Sequence, residues 1–378
     1  MNPRVEKRSV ETVIKQIDVH LLKVPLIRPY RLAFGDVVDF DTLLVELIDT
    51  HGRTGFGEAT VLTGYTDENI TSAWTLARQL ADEVLGATRD SFATRLDDVS
   101  VVAPFTATAF ITALEMLECS PALALAEPAR VPIVALLHAS DVVELTDEFE
   151  TLLGSGYRTV KIKVGIAGED DLARVSNVQK VVAGRARIRI DANQAFTAQE
   201  AAAFLAALDP RDIELFEQPC KAGDWQAHAT AARASRVPMM LDESIYGLDD
   251  IDRAAAERVA AFVKVKLMKF CSLAKLTEAI KRIRELGMQP VLGNGVACDP
   301  GCWMEACIAA RHIDNAGEMN GYLKARGSLF ENPPRFEHGD ILIEANYEPV
   351  IDRDALRRFR VGHHCARQTR QIVSSTTS

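Results

Sequence analysis

One rhythm constrains this chain more than any other feature of it. From residue 131 onward, short runs rich in β-branched residues recur eight times, each followed by an Ala-rich amphipathic stretch. The runs are VPIVALLHA (131–139), TVKIKVG (159–165), RIRIDANQAF (187–196), IELFEQPC (213–220), VPMMLDESI (237–245), FVKVKLMKF (262–270), QPVLGNGV (289–296) and IDNAGEMNG (313–321). Eight strand–helix units about 25 residues apart spell a parallel (β/α)₈ barrel. A doubly wound nucleotide-binding sheet would need a phosphate cradle. Neither GxGxxG nor GxxxxGK[ST] occurs, and Gly293-Asn294-Gly295 is too short to serve.

The texture before the barrel differs. Residues 14–61 alternate as extended hairpins around a turn at His51-Gly52-Arg53, and 66–126 carry helical periodicity. The expected organisation is a tail at 1–12, an α+β capping domain at 13–128 and a barrel at 129–330. A segment at 331–366 then breaks the βα rhythm and returns to the capping domain, and a second tail runs from 367 to 378. Near-average composition excludes a collagen, a disulfide mini-protein and a wholly disordered chain. With 43 Lys+Arg against 53 Asp+Glu, the net charge of −10 repels phosphate backbones, so no nucleic acid is expected and a small molecule is the expected partner. The apolar stretches fall short of a membrane span and the start, MNPRVEKRSVETVIKQ, is polar, so no membrane association and a cytoplasmic location are expected. Seven dispersed cysteines without a CxxC pair read as reduced thiols, and the spacing of Cys298, Cys302 and Cys307 matches no zinc motif.

The charges then locate the chemistry. Alternate side chains of a barrel strand face the interior, and catalytic groups sit at the strands' C-terminal ends. In VKIKVG the aliphatic Val160, Ile162 and Val164 take one side, which turns Lys161 and Lys163 inward. Asp191 and Asn193, Glu217, Asp242 with Glu243, and Lys264 with Lys266 follow by the same parity. Lys163, Asp191, Glu217, Asp242 and Lys266 are 28, 26, 25 and 24 residues apart, which makes them neighbours around one rim. A network that merely closes the barrel mouth is the bland alternative, but five such strand ends in series exceed what it needs. A buried charge costs several kcal/mol, and three clustered carboxylates repel unless a cation sits among them. All-oxygen ligands suit Mg²⁺. Lysines on either side place a base on each face of one carbon, as removal and return of an α-proton require, with a cation opposing the enolate charge. Lys161 beside Lys163 would depress the latter's pKa and make it a base.

Lys161-Ile162-Lys163, DANQAF, FEQP, LDES and KLMK, in this order and spacing, resemble the enolase superfamily, muconate lactonizing enzyme subgroup, over roughly residues 14–362. The resemblance implies a modified barrel with an N-terminal capping domain, and Mg²⁺ held by Asp191, Glu217 and Asp242. It further implies Lys163 and Lys266 as the acid/base pair, Lys161 tuning Lys163, a homo-oligomer, and capping loops near Pro25–Gly35 and Gly55–Tyr65. Asn193 and Glu243 are expected to orient the ligands or Lys266.

Departures from the family pattern bear on the substrate. Phe270-Cys271-Ser272 stands where several members have Gly-Gly. Glu318-Met319-Asn320 replaces the Asp-x-Asp that holds the substrate ammonium in dipeptide epimerases. Glu318, Asn320, Asn294 and His138 are the candidate substrate contacts, with a pairing of Glu318 to Lys324 or Arg326 as the alternative for that residue. Lys264 is expected to pair with an acid such as Asp191 or Glu243. The leading expectation is racemisation or epimerisation of an N-substituted amino acid or dipeptide carboxylate. Cycloisomerisation or β-elimination is the alternative on the same scaffold, and a catalytically silent metal-binding barrel is the alternative of another class.

Overall fold

The computed structural model describes residues 12–32, 35–62, 65–166 and 170–368, so the expected tails lie outside it except for Thr12, Arg367 and Gln368. The chain opens with three antiparallel strands, β1 (Ile14–Leu32), β2 (Gly35–Asp49) and β3 (Thr54–Thr60). Helices α1 (Ile70–Glu83), α2 (Arg89–Val102) and α3 (Pro104–Leu117) follow. Each begins where its sequence supplies a start: Asn69 caps α1 through the backbone N–H groups of Thr71 and Ser72, Thr88 caps α2, and Pro104 occupies the first turn of α3. The buried Ala, Leu and Phe faces of these helices share one core with β1–β3.

The second half alternates strand and helix. Its elements are β4 (Ala129–Pro132), β5 (Ala135–Leu136), α4 (Val142–Gly154), β6 (Thr159–Lys163), α5 (Asp171–Val182), β7 (Arg187–Asp191), α6 (Ala198–Ala207) and β8 (Ile213–Glu217). Then come α7 (Trp225–Ala234), β9 (Met239–Leu241), α8 (Leu248–Ala256), β10 (Phe262–Val265), α9 (Leu267–Phe270), α10 (Leu273–Glu285), β11 (Gln289–Leu292) and α11 (Asp299–His312). Strands β5 to β11 form one parallel sheet in chain order. The sheet closes through residues 317–318: Gly317 N–H donates to Pro132 O, Val134 N–H to Gly317 O, and Glu318 N–H to Leu292 O. This is a (β/α)₈ barrel whose eighth strand is reduced to a single bridge, Ile133 to Gly317. Gly293 permits the closure. It has φ +126°, and a Cβ there would lie 2.6 Å from Glu318 N.

Alternation does what the pattern requires. Val160, Ile162, Val164, Ile188 and Ile190 pack outward in one cluster with Val175, Val178 and Ala201 of the helices, which leaves the charged parity inside. Arg189, with no exposed surface, spans the interior from β7, donating to Glu214 Oε2 (2.6 Å) and Ala316 O (2.7 Å).

Three expectations change. The run 131–139 is not one strand, because β4 pairs antiparallel with a later strand while Ile133–Leu136 enter the barrel. The run 262–270 ends as a strand at Val265 and turns into α9. The expected capping loops are strand over most of their described residues: Pro25–Leu32 extends β1, with a register shift between Pro25 and Tyr30, and Gly55–Thr60 belongs to β3, while residues 33–34 and 63–64 lie outside the described residues. After the barrel, β12 (Arg335–Glu337) and β13 (Asp340–Ile343) pair up and β13 joins β4. Helix α12 (Arg353–Phe359) then leads into β14 (Arg360–Arg367), which lies antiparallel beside β1.

Candidate active site

The rim residues meet because the strands are in register. Lys163 is the Cα partner of Asp191, and Asp191 of Glu217. Local turns then aim the side chains. Asn193 takes φ +41° and donates its N–H to Asp191 Oδ1 at 2.8 Å, an Asx turn that fixes the carboxylate. Gln218, at φ +40° and wholly buried, accepts from Asp242 N–H (2.9 Å) and Ser244 N–H (3.3 Å), which bolts the end of β8 to that of β9. Non-glycine residues at positive φ on two adjacent strand ends mark where packing overrides backbone preference.

Ammonium groups thread the carboxylates. Lys161 Nζ lies 2.8 Å from Asp191 Oδ2, 2.7 Å from Glu217 Oε2 and 2.9 Å from Glu318 Oε1. Lys163 Nζ is 2.6 Å from Asp191 Oδ2 and also donates to Asn193 Oδ1. Lys266 Nζ is 2.8 Å from Asp242 Oδ2 and sits over the Tyr65 ring, 4.7 Å from its centroid. Lys269 holds the other Asp242 oxygen at 2.9 Å. Burial pushes the Asp191 carboxyl up, but Lys161, Lys163 and Lys264 overcome it and hold the pKa down at about 2. Burial also disfavours the Lys161 and Lys266 ammonium groups. Asp191, Glu217 and Glu318 hold the first well above the usual lysine value, and Asp242, Tyr65 and Glu243 do so for the second. Lys161, expected to act on Lys163, is itself surrounded by acids.

The cavity above this floor is lined by Tyr65, Val134, Leu136, Asn294, Asn320 and Lys324 together with the charged residues. Asn193 Nδ2 donates to Glu243 Oε1 at 3.0 Å, which joins the two expected orienting residues. Asn294 is buried and closes on Val296 through both amide atoms. His138 is exposed and does not line the cavity, because β5 ends two residues before it. Glu318 lines the cavity, but both its oxygens are engaged by Lys161 and Lys264, not by Lys324 or Arg326. Lys324 donates instead to Gly295 O and Asn320 Oδ1, and Arg326 to Leu26 O. Lys264 pairs with Glu217 and Glu318, not with Asp191 or Glu243.

Several contributors escape strand alternation. Lys269 reaches Asp242 only because α9 turns there, and Tyr65 arrives from the capping half, where Tyr246 Oη donates to its carbonyl at 2.7 Å. Glu305 on α11, 2% exposed, accepts from Leu267 N–H (2.8 Å) and Asn294 N–H (3.1 Å), one residue from Lys266. A buried glutamate inside an otherwise apolar helix was the available signal for it.

The donor set fits a hard divalent cation. Asp191, Glu217 and Asp242 are all-oxygen, buried and adjacent. Glu217 Oε2 has no hydrogen-bond partner, its 2.7 Å contact to Lys161 being purely ionic. Burial and the neighbouring Asp191 carboxylate push the Glu217 pKa up to about 7 despite two lysines, as expected where positive charge is short. The spacing is that of ammonium pairing: among the described residues no three His, Cys, Asp or Glu side chains gather as a metal would gather them. Lys161 stands between Asp191 and Glu217.

A parallel barrel with lysines and carboxylates crowning successive strands defines a class of carbon-acid enzymes. Residues 144–347, over half the chain, match the family described as Enolase C-terminal domain-like, and the chain belongs to it. It is an isomerase of the enolase superfamily. It is 28% identical to the L-Lys-D/L-Arg epimerase of Methylococcus capsulatus, with 91% of this chain and 98% of the relative covered. It is 26% identical to the hydrophobic dipeptide epimerase of Enterococcus faecalis, with 79% and 86% covered. The crystal structure of the N-succinyl Arg/Lys racemase of Bacillus cereus superposes with a TM-score of 0.85 at 21% identity, covering 94% of this chain and all of that one. Among the described residues no helix is long and apolar enough to cross a membrane.

Proposed function

We propose that this protein racemises or epimerises an N-substituted amino-acid carboxylate by moving its α-proton between Lys163 and Lys266, with Mg²⁺ held by Asp191, Glu217 and Asp242. One observation carries the reading: Lys163 ends β6 and Lys266 directly follows β10, strands separated by β7, β8 and β9, so the two lysines flank the carboxylate trio from opposite sides of the mouth. A divalent cation bound there supplies the positive charge that opposes the negative charge building on the substrate carboxylate as the proton leaves. Lys161 and Lys264 add fixed positive charge beneath the same point. Lys266 is nearly dry, at 3% side-chain exposure under Tyr65, whereas Lys163 keeps 30%. The Tyr65 side therefore excludes water from one face, and Asn193 orients the lysine on the other.

The test is α-proton exchange in deuterated water with purified protein, Mg²⁺ and each enantiomer of a reactive substrate. Lys163→Ala should lose exchange of one enantiomer by about 10²- to 10⁴-fold, the usual worth of a positioned acid or base, while keeping exchange of the other. Lys266→Ala should do the reverse. Exchange of both enantiomers at the wild-type rate in both variants would end the two-base model.

A further inference from the structure

The cavity floor holds one lysine that takes no part in moving the proton. Lys264 is on β10 one layer below Lys266, is 1% exposed, and lines the cavity. Its Nζ lies 2.6 Å from Glu318 Oε2, 3.1 Å from Glu217 Oε1 and 3.8 Å from Asp242 Oδ2. Glu318 gives its other oxygen to Lys161 at 2.9 Å. Glu318 thus meets the cavity with each oxygen already against an ammonium group. Asn320 and Asn294 on that wall are neutral amides, Lys324 beside them is cationic, and Asn320 spends its Nδ2 on Val134 O at 3.0 Å.

Charge balance across the site points the same way. Asp191, Glu217, Asp242, Glu243 and Glu318 face Lys161, Lys163, Lys264, Lys266 and Lys269. Lys324 also lines the cavity, so with a divalent cation bound positive charge is in excess and a substrate carboxylate offsets part of it. A substrate that also carries an ammonium adds a positive charge for which this floor has no spare anion, and an uncompensated charge in a dry site costs several kcal/mol.

We infer that Lys264 is a specificity-determining residue. Its ammonium fills, from within the protein, the place beside Glu318 that a cationic group of the substrate would occupy. The site therefore takes amino acids whose nitrogen carries an uncharged acyl group and turns away free dipeptides, a case of discrimination by a built-in repulsive charge. The inference rests on the α-proton reading above.

The test uses pairs that differ only in the charge: N-propionyl amino acids against the corresponding alanyl dipeptides, whose shared skeleton lacks or carries the terminal ammonium. With wild-type protein and Mg²⁺, kcat/KM for α-proton exchange should be at least about a hundredfold higher for the propionyl member of a reactive pair, the size of a difference of about 2.7 kcal/mol. Lys264→Gln, which keeps a hydrogen-bonding group without the charge, should narrow that ratio by at least about tenfold. Wild-type exchange of the alanyl dipeptide equal to or above that of its propionyl partner overturns the inference while leaving the α-proton reading intact. No exchange in either series overturns the α-proton reading and the inference with it. A Lys264→Gln protein that slows both members equally, with the ratio unchanged, assigns the lysine a structural task only and also overturns the inference. The wild-type ratio decides the matter alone if the variant does not fold.

Discussion

Two groups of buried carboxylates lie on either side of Lys266, and the protein treats them in opposite ways. At the barrel mouth, Asp191, Asp242 and Glu318 are matched by ammonium groups and kept ionised: burial raises each pKa, the lysines overcome it, and all three end below the ordinary range. Behind the mouth, Glu58 and Glu305 line a small chamber between the capping strands and α11. There the partners are chiefly backbone N–H groups. Glu58 accepts from Cys298 N–H (2.9 Å) and Gly301 N–H (2.8 Å), and Glu305 from Leu267 and Asn294. Burial dominates, and both are pushed up to about 7. Hydrogen bonds from neutral donors satisfy an oxygen without supplying the charge that keeps it ionised. Asp191, Asp242 and Glu318 are thus held charged for chemistry, Glu217 at the same mouth is pushed up to about 7 by burial and the Asp191 charge, and the second group is a set of bolts that can hold a proton.

The largest effect that separates the groups is in stability against pH. A carboxyl raised to about 7 in the fold from an ordinary 4.5 contributes stability fully below pH 4.5. That contribution falls as pH rises from 4.5 to 7 and is gone above. For Glu58 the change is about 3 kcal/mol at 1.36 kcal/mol per pH unit. Denaturant melts of wild type and Glu58→Gln across that window should therefore converge or cross by this amount, and parallel curves would place Glu58 with the ionised group. Next comes charge at the mouth itself. Glu217→Gln removes an ionic ligand and should weaken Mg²⁺ binding by about a hundredfold or more, since even an outer partner of a ligand is worth about 10- to 100-fold. Calorimetry with unchanged affinity would strike Glu217 from the ligand set. The smallest effect tests whether a bolt can reach the chemistry. Glu305→Gln turns one of two acceptors into a donor, strands a buried N–H beside Lys266 or Asn294, and should cost about 1–3 kcal/mol of stability. If the bolt positions Lys266, exchange on that lysine's face should slow more than exchange on the face of Lys163; equal slowing would make Glu305 a structural residue only.

The same comparison shows what was legible beforehand. The mouth could be read because a period of two and a spacing of about 25 residues carry the geometry locally: Lys163, Asp191 and Glu217 need only their own strands to be placed. The bolts could not be. Glu58 meets Cys298 across 240 residues of chain, and Leu267 meets Glu305 only because α9 begins where alternation predicts more strand. Lys264 was visible as an inward lysine, but its partner depended on how far the shortened eighth strand drops Glu318 into the barrel. His138 failed for the related reason that the first strand stops at Leu136.

The position of β14 has a consequence for how the molecule is made. In the N-terminal sheet β1 lies between β2 and β14. Residues Gln16 to Leu22 pair with a strand that leaves the ribosome more than three hundred residues later. Throughout synthesis of the barrel, that edge of β1 presents unpaired N–H and C=O groups, open to pairing with any extended segment nearby. Asp18 and His20 along it put charged and polar side chains where an apolar edge would invite another nascent chain. A sheet begun before the barrel is thus finished after it, and a ribosome stalled before Arg360 releases a chain whose barrel strands are all made but whose β1 still lacks its neighbour β14.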